Sequence, residues 1–344
     1  MKLTTKRRTI VRWALGLAVG VGAIVVLVSA AGGFADAAGA LGRARLEWVL
    51  VAIGIEGVSY LALGLQLRRL ARSAAPLSRS TGIGLGLVVS GFGLLTPAAP
   101  VEGLTIASRE LRRRGLTQRQ ATLTLGFGQW FYGRMFVLIA AVDLLVAVVI
   151  GDLAALDVTP LIALAVTVAV ALVVTGRMAR KPESAERGAL LLGKLQFWRP
   201  HQPADQQRVA GAAWHHQAMG IVGQPANRVL LAAMTATAIL TDMAALWASL
   251  TATGVHVDGD VAILAASAGV LATLVPLLPG GLGLVEAVVP AVLHHFGAPL
   301  GAALTGALLY RAVGTFLPAV VGATVVGRFA VARRRDPPAV PTLP

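Results

Sequence analysis

Seven ionisable side chains stand where this chain has least room for them. Glu56, Arg134, Asp143, Asp242 and Arg311 fall in or near long apolar runs, and Glu102 and Glu286 follow proline-containing breaks in two further runs. A charge at the centre of a hydrocarbon layer costs at least ~2.5–3.5 kcal/mol, so such groups face a partner or a wet cavity. Pairing is the simplest arrangement, with each of Glu102 and Glu286 beside one of Arg134 and Arg311. A guanidinium fork matches a phosphate through two parallel hydrogen bonds. The two arginines are therefore candidates for holding a phosphate-bearing headgroup, and the two glutamates for balancing them when the site is empty. Glu56, Asp143 and Asp242 read more simply as members of structural ion pairs.

Other residue types offer less. Gly82, Gly84, Gly86, Gly91 and Gly93 lack the preceding strand and following GK[ST] of a phosphate-binding loop, so close helix packing explains them better. His215-His216 and His294-His295 are adjacent pairs that diverge by ~100° on a helix, with no third ligand at a useful spacing. No nucleophile elbow or zinc-hydrolase motif occurs, and no cysteine, which excludes thiol chemistry, disulfides and cysteine-ligated metals. The expectation is no catalytic residue, no metal and no cofactor.

The elements that must position these charges are apolar helices. The 344 residues are 56% hydrophobic and 13% charged, about half the charge fraction of a soluble domain. Runs near Val11–Ala31, Leu46–Gln66, Gln120–Ile150, Thr159–Arg177, Asn227–Thr251 and Pro299–Gly327 are long enough to cross a ~30 Å hydrocarbon core. The first run follows or includes Lys2, Lys6, Arg7, Arg8 and Arg12, all before Trp13, and resembles a secretory signal, but the length from Trp13 to Ala31 favours a retained helix. Thr81–Thr96 and Val261–Leu278 instead end at Pro97-Ala98-Ala99-Pro100 and Pro279-Gly280-Gly281. Each break is followed at once by a glutamate-bearing helical pattern, as in a segment that enters a membrane, turns and leaves on the same side.

Charge placement favours that topology. With a cytoplasmic N-terminus and two re-entrant segments, 26 of the 30 Lys and Arg residues fall on the cytoplasmic side. Full crossing by Thr81–Thr96 would instead expose the block Arg109–Arg114 to the exterior, against the bias of basic loops toward the cytoplasm. The basic excess thus reads as loop and headgroup contacts, not as a nucleic-acid site. The expected fold is an all-α polytopic membrane protein with six spanning helices, two re-entrant hairpins and both termini cytoplasmic. One membrane domain covers 1–332, with an amphipathic interfacial or cytoplasmic loop at 178–226 and a disordered tail at 333–344.

The two broken segments also resemble each other. The order Pro, Val-Glu, Gly, Tyr, Arg runs through Pro97, Val101-Glu102, Gly115, Tyr132 and Arg134, and again through Pro279, Val285-Glu286, Gly297 and Tyr310-Arg311. Opposed hairpins make 81–150 and 261–327 an inverted repeat, an arrangement used by secondary transporters.

The run Leu278-Pro279-Gly280-Gly281-Leu282-Gly283-Leu284-Val285-Glu286, followed by Leu308-Leu309-Tyr310-Arg311 and Leu317-Pro318, resembles the lysylphosphatidylglycerol synthase transmembrane region family of flippase-like proteins. In the first half the family's glycine-glutamate-arginine-like run is replaced by Pro100-Val101-Glu102-Gly103. The resemblance implies movement of an anionic phospholipid, a glycolipid or a polyprenyl-linked lipid between leaflets of a bacterial inner membrane. It implies headgroup roles for Glu286 and Arg311, and by the repeat for Glu102 and Arg134. Pro279, Gly280, Gly281 and Gly283 shape one turn, and Pro97 and Pro100 the other. The chain ends soon after Arg335, so the expectation is a protein without the aminoacyl-transfer domain of the synthases, working beside an enzyme that makes its lipid. Two rival expectations are an ion-coupled transporter of a soluble anion and a membrane-embedded lipid-modifying transferase.

Overall fold

The computed structural model describes residues 39, 42–72, 75–91, 99–150, 203–273 and 283–335, with scattered residues between 169 and 187. The regular elements among them are helices: α1 (Leu46–Ala71), α2 (Arg79–Ser90), α3 (Ala99–Arg113), α4 (Gln118–Ile150), α5 (Ala204–Val222) and α6 (Pro225–Ala252). They continue with α7 (Gly259–Thr273), α8 (Leu284–His295), α9 (Leu300–Arg311), a π-helical turn at Ala312–Phe316, and α10 (Leu317–Arg335).

Four stretches are long and apolar enough to cross a membrane: Leu46–Ala71, Gln118–Asp143, Pro225–Ala252 and Leu300–Val331. They match four of the six spans read from the sequence. Val11–Ala31 lies outside the described residues, and Thr159–Arg177 is described only in part. These helices leave large side chains uncovered, among them Leu46, Leu50, Val142, Leu145, Val229 and Val320. Exposed apolar faces on spanning helices are the surfaces a lipid phase covers. The multi-pass membrane character expected from composition therefore stands.

Sequence chemistry sets the helix ends. Thr117 and Gln120 form a reciprocal capping box before α4, with Gln120 N–H on Thr117 Oγ1 at 3.2 Å and Thr117 N–H on Gln120 Oε1 at 2.9 Å. The ends of α3, α6 and α8 each carry a glycine at positive φ (Gly115, Gly254, Gly297), followed by a residue whose N–H reaches back five positions to close the helix.

The chain divides into two compact units. One comprises Met1–Gly64, Ile83–Glu110 and Ala238–Pro344. Its core joins Ala52, Ala248, Ala252, Leu309 and Val313 with Trp48, Val49 and Ile55 packed against them. The glycines of α2 serve this packing: a Cβ added at Gly86 would lie 2.9 Å from the backbone N of Gly64, so the two helices meet backbone to backbone. In the same unit α7 and α8 are 15 and 12 residues long. At 1.5 Å per residue α8 is ~18 Å, too short to cross ~30 Å alone, and the described part of α7 is ~22 Å. They pack on each other at Gly269, where an added Cβ would meet Val289 Cγ2 at 2.7 Å.

The other unit comprises Leu65–Gly82 and Leu111–Thr237. Leu70, Phe127, Phe131 and Leu231 form its core, bordered by Trp130, Met135, Met219 and Ile221. Arg69 donates from both Nε and Nη2 to Asn227 Oδ1, tying α1 to α6. Part of the stretch expected as an interfacial loop at 178–226 is the helix α5, whose Met219 joins this core. The C-terminal helix also runs farther than the sequence indicated. Arg333–Arg335, assigned to a disordered tail, continue α10, because nothing before Asp336-Pro337 interrupts the helix.

Candidate functional site

The first unit assembles Glu286 and Arg311. Gly283 caps α8 with φ of +83°, a conformation that a side chain would strain, and its N–H donates to Glu286 Oε2 at 2.7 Å. The carboxylate thus sits at a helix N-terminus, where free N–H groups and the helix dipole favour negative charge. Its other oxygen, Oε1, accepts from Arg311 Nε at 2.9 Å. Glu286 is 2% exposed and Arg311 6%. Arg311 also donates from Nη1 to Thr315 Oγ1 at 3.1 Å, one turn further along its own helix.

Local irregularity supports this geometry. Pro318 has no N–H to give the carbonyl of Gly314, and its ring crowds that carbonyl. The helix widens into the π turn Ala312–Phe316, and the Gly314 oxygen accepts from the Tyr60 hydroxyl of α1 at 2.9 Å. Such π turns recur at functional sites.

Tyr310 and Arg311 are adjacent, so their side chains leave α9 in directions ~100° apart. Arg311 turns to α8. Tyr310 turns to α6, where its hydroxyl donates to Asp242 Oδ1 at 3.0 Å. Glu56 of α1 meets this group too. Its Cδ and Tyr310 Cε2 lie 3.6 and 3.4 Å from the point a Cβ on Gly314 would occupy, which puts its carboxyl beside the tyrosine that holds Asp242. The expectation that Glu56 and Asp242 belong to simple ion pairs is thereby corrected. They gather at one tyrosine, because α1 and α6 bring two acids, not an acid and a base, to α9. A signal for this was present in the sequence: Glu56 and Tyr60 are four apart, as are Tyr310 and Gly314, so each pair shares a helix face.

The remaining predicted residues are placed as follows. Arg134, on α4, belongs to the second unit, with its guanidinium carbon 6.0 Å from the Trp130 ring centroid and its Nη1 beside Gly176. Glu102 and Pro100 lie in the first turn of α3, with their side chains outside the described residues. Pro97, Pro279, Gly280 and Gly281 lie outside the described residues altogether. Asp143 is buried on α4. His294 Nδ1 lies 2.9 Å from the carbonyl oxygen of Ala298, and His295 packs edge-on against Phe296. Among the described residues no three His, Asp or Glu side chains gather as metal ligands do.

A search of curated protein sequences finds no match to the chain. The family model described as "Lysylphosphatidylglycerol synthase TM region" matches residues 13–322, a stretch that holds all the helices described here up to the first turns of α10 and every residue of the Glu286–Arg311 and Glu56–Asp242–Tyr310 groups. With its apolar helices and this nearly full-length match, the chain is a multi-pass membrane protein of the lysylphosphatidylglycerol synthase transmembrane region family.

Proposed function

We propose that the protein moves a lipid with an anionic headgroup between membrane leaflets, and that Arg311 and Glu286 form the headgroup site. The observation that carries this reading is the buried ion pair between them, on a helix broken by a π turn and a helix too short to span. In the proposed cycle a lipid phosphate takes the place of Glu286 at the Arg311 guanidinium, while the acyl chains stay in the bilayer. The guanidinium turns from Glu286 to the phosphate while Glu286 stays in place, its charge stabilised by the Gly283 N–H and the α8 N-terminus. Exchange of one anion for another avoids leaving a buried arginine alone, which costs about 3–5 kcal/mol. Arg134 and Glu102 are the proposed counterparts in the first repeat.

The finer architecture belongs to the same proposal: six spans, both termini cytoplasmic, and two re-entrant hairpins in an inverted repeat, the second formed by α7 and α8. Their lengths and close packing support it, as does the similar size of α2 and α3, at 12 and 15 residues. A bacterial inner membrane and a separate enzyme supplying the lipid complete the reading. Group transfer by this chain is not proposed, since the sequence carries no motif for a donor substrate.

The test is headgroup translocation in proteoliposomes reconstituted with fluorescent phosphatidylglycerol. Wild-type protein accelerates flipping, and Arg311→Ala and Glu286→Gln abolish the acceleration. Undiminished flipping in both variants removes the site.

A further inference from the structure

Glu56, Asp242 and Tyr310 are not used by the headgroup reading, yet they form a closed polar group from three helices. Asp242 accepts from the Tyr310 hydroxyl at 3.0 Å, and the Glu56 carboxyl lies beside the same tyrosine at Gly314, so two acids share one buried neighbour. Glu56 is 4% exposed, and its Oε2 is buried without a hydrogen-bond partner. Two carboxylates close together and away from water are costly to ionise at once, so the resting pair holds a proton.

Three groups surround the pair. On α1, the Tyr60 hydroxyl is committed to the Gly314 carbonyl. From α9, the Tyr310 hydroxyl donates to Asp242, and Arg311 is the next residue in the chain. Arg311 is at the same time the partner of Glu286 on α8. Any exchange of the anion at Arg311 therefore changes the field in which the proton is held.

We propose that Glu56 and Asp242 are a proton-binding site, holding one proton between them, and that its loading is coupled through Arg311 to headgroup movement. Uptake takes the pair from two negative charges to one, and release reverses this with no other bond made or broken. The coupling rests on the translocation reading, whereas the proton site stands without it.

Infrared difference spectroscopy of the purified, reconstituted protein tests the site directly. A carbonyl band of a protonated carboxyl group is expected at neutral pH, lost in Glu56→Gln and in Asp242→Asn and retained in Glu286→Gln. A wild-type spectrum without that band, or one unchanged in both Glu56→Gln and Asp242→Asn, overturns the proposal. Flipping in proteoliposomes under opposite pH gradients tests the coupling. Wild type is expected to flip several-fold faster under one gradient than the other, with the difference lost in Glu56→Gln. Equal wild-type rates under both gradients overturn the coupling. A wild type that shows the band but flips no lipid removes the translocation reading and the coupling together, and leaves the proton site standing.

Discussion

The Tyr60 hydroxyl donates to the Gly314 carbonyl, the one acceptor that Pro318 is unable to satisfy within its own helix. A side chain of α1 thereby repairs the backbone of the helix that carries Arg311. Removing the hydroxyl in Tyr60→Phe leaves the carbonyl without its donor and is expected to cost about 1–3 kcal/mol. Thermal unfolding in detergent measures it. In a Pro318→Ala background the helix regains its own N–H donor, and the same substitution should then cost clearly less.

The Glu286–Arg311 pair gives a second, stability-based signature. Arg311→Ala leaves a buried carboxylate without its cation and is expected to destabilise by about 3–5 kcal/mol. The double variant Arg311→Met/Glu286→Leu removes both charges and should recover most of that loss while remaining inactive in flipping. A double variant no more stable than Arg311→Ala would show that the pair does not act as a unit. Arg311→Lys keeps the charge but loses the fork, so it should restore stability more than transport.

Packing between α7 and α8 is tight enough to be read by one methyl group. Gly269→Ala places a Cβ 2.7 Å from Val289 Cγ2 and is expected to cost about 1–3 kcal/mol. Val289→Ala in the same chain removes the clashing methyl. Recovery of the melting temperature in the pair, measured against each single variant, checks the contact.

The topology has its own test, helped by the absence of native cysteine. Thiols introduced singly in Ala107–Gly115 are expected to react with membrane-impermeant reagents from the cytoplasmic side only. Reaction from the exterior alone would turn the first hairpin into a full crossing and end the inverted-repeat proposal.

The start of α4 can be probed locally. Thr117→Ala removes an N-cap and should cost about 0.5–2 kcal/mol. Faster hydrogen exchange confined to the first turn after Gln118 is the expected signature.

Hydropathy located α1, α4, α6 and the α9–α10 stretch to within a few residues, because the transfer of an apolar run into lipid is a local property that a window of sequence contains. The same local reasoning singled out Glu286 and Arg311 as costly charges in need of partners. It could not say which partners, since that depends on which helix faces meet. Only the tertiary structure put Arg311 Nε on Glu286 and turned the neighbouring Tyr310 toward Asp242. Glu56 and Asp242 show the limit most plainly. Each looks from its own helix like half of an ion pair, and only the approach of α1 and α6 to α9 brings both to Tyr310, since a charge's cost is set locally but its relief is set by neighbours distant in sequence.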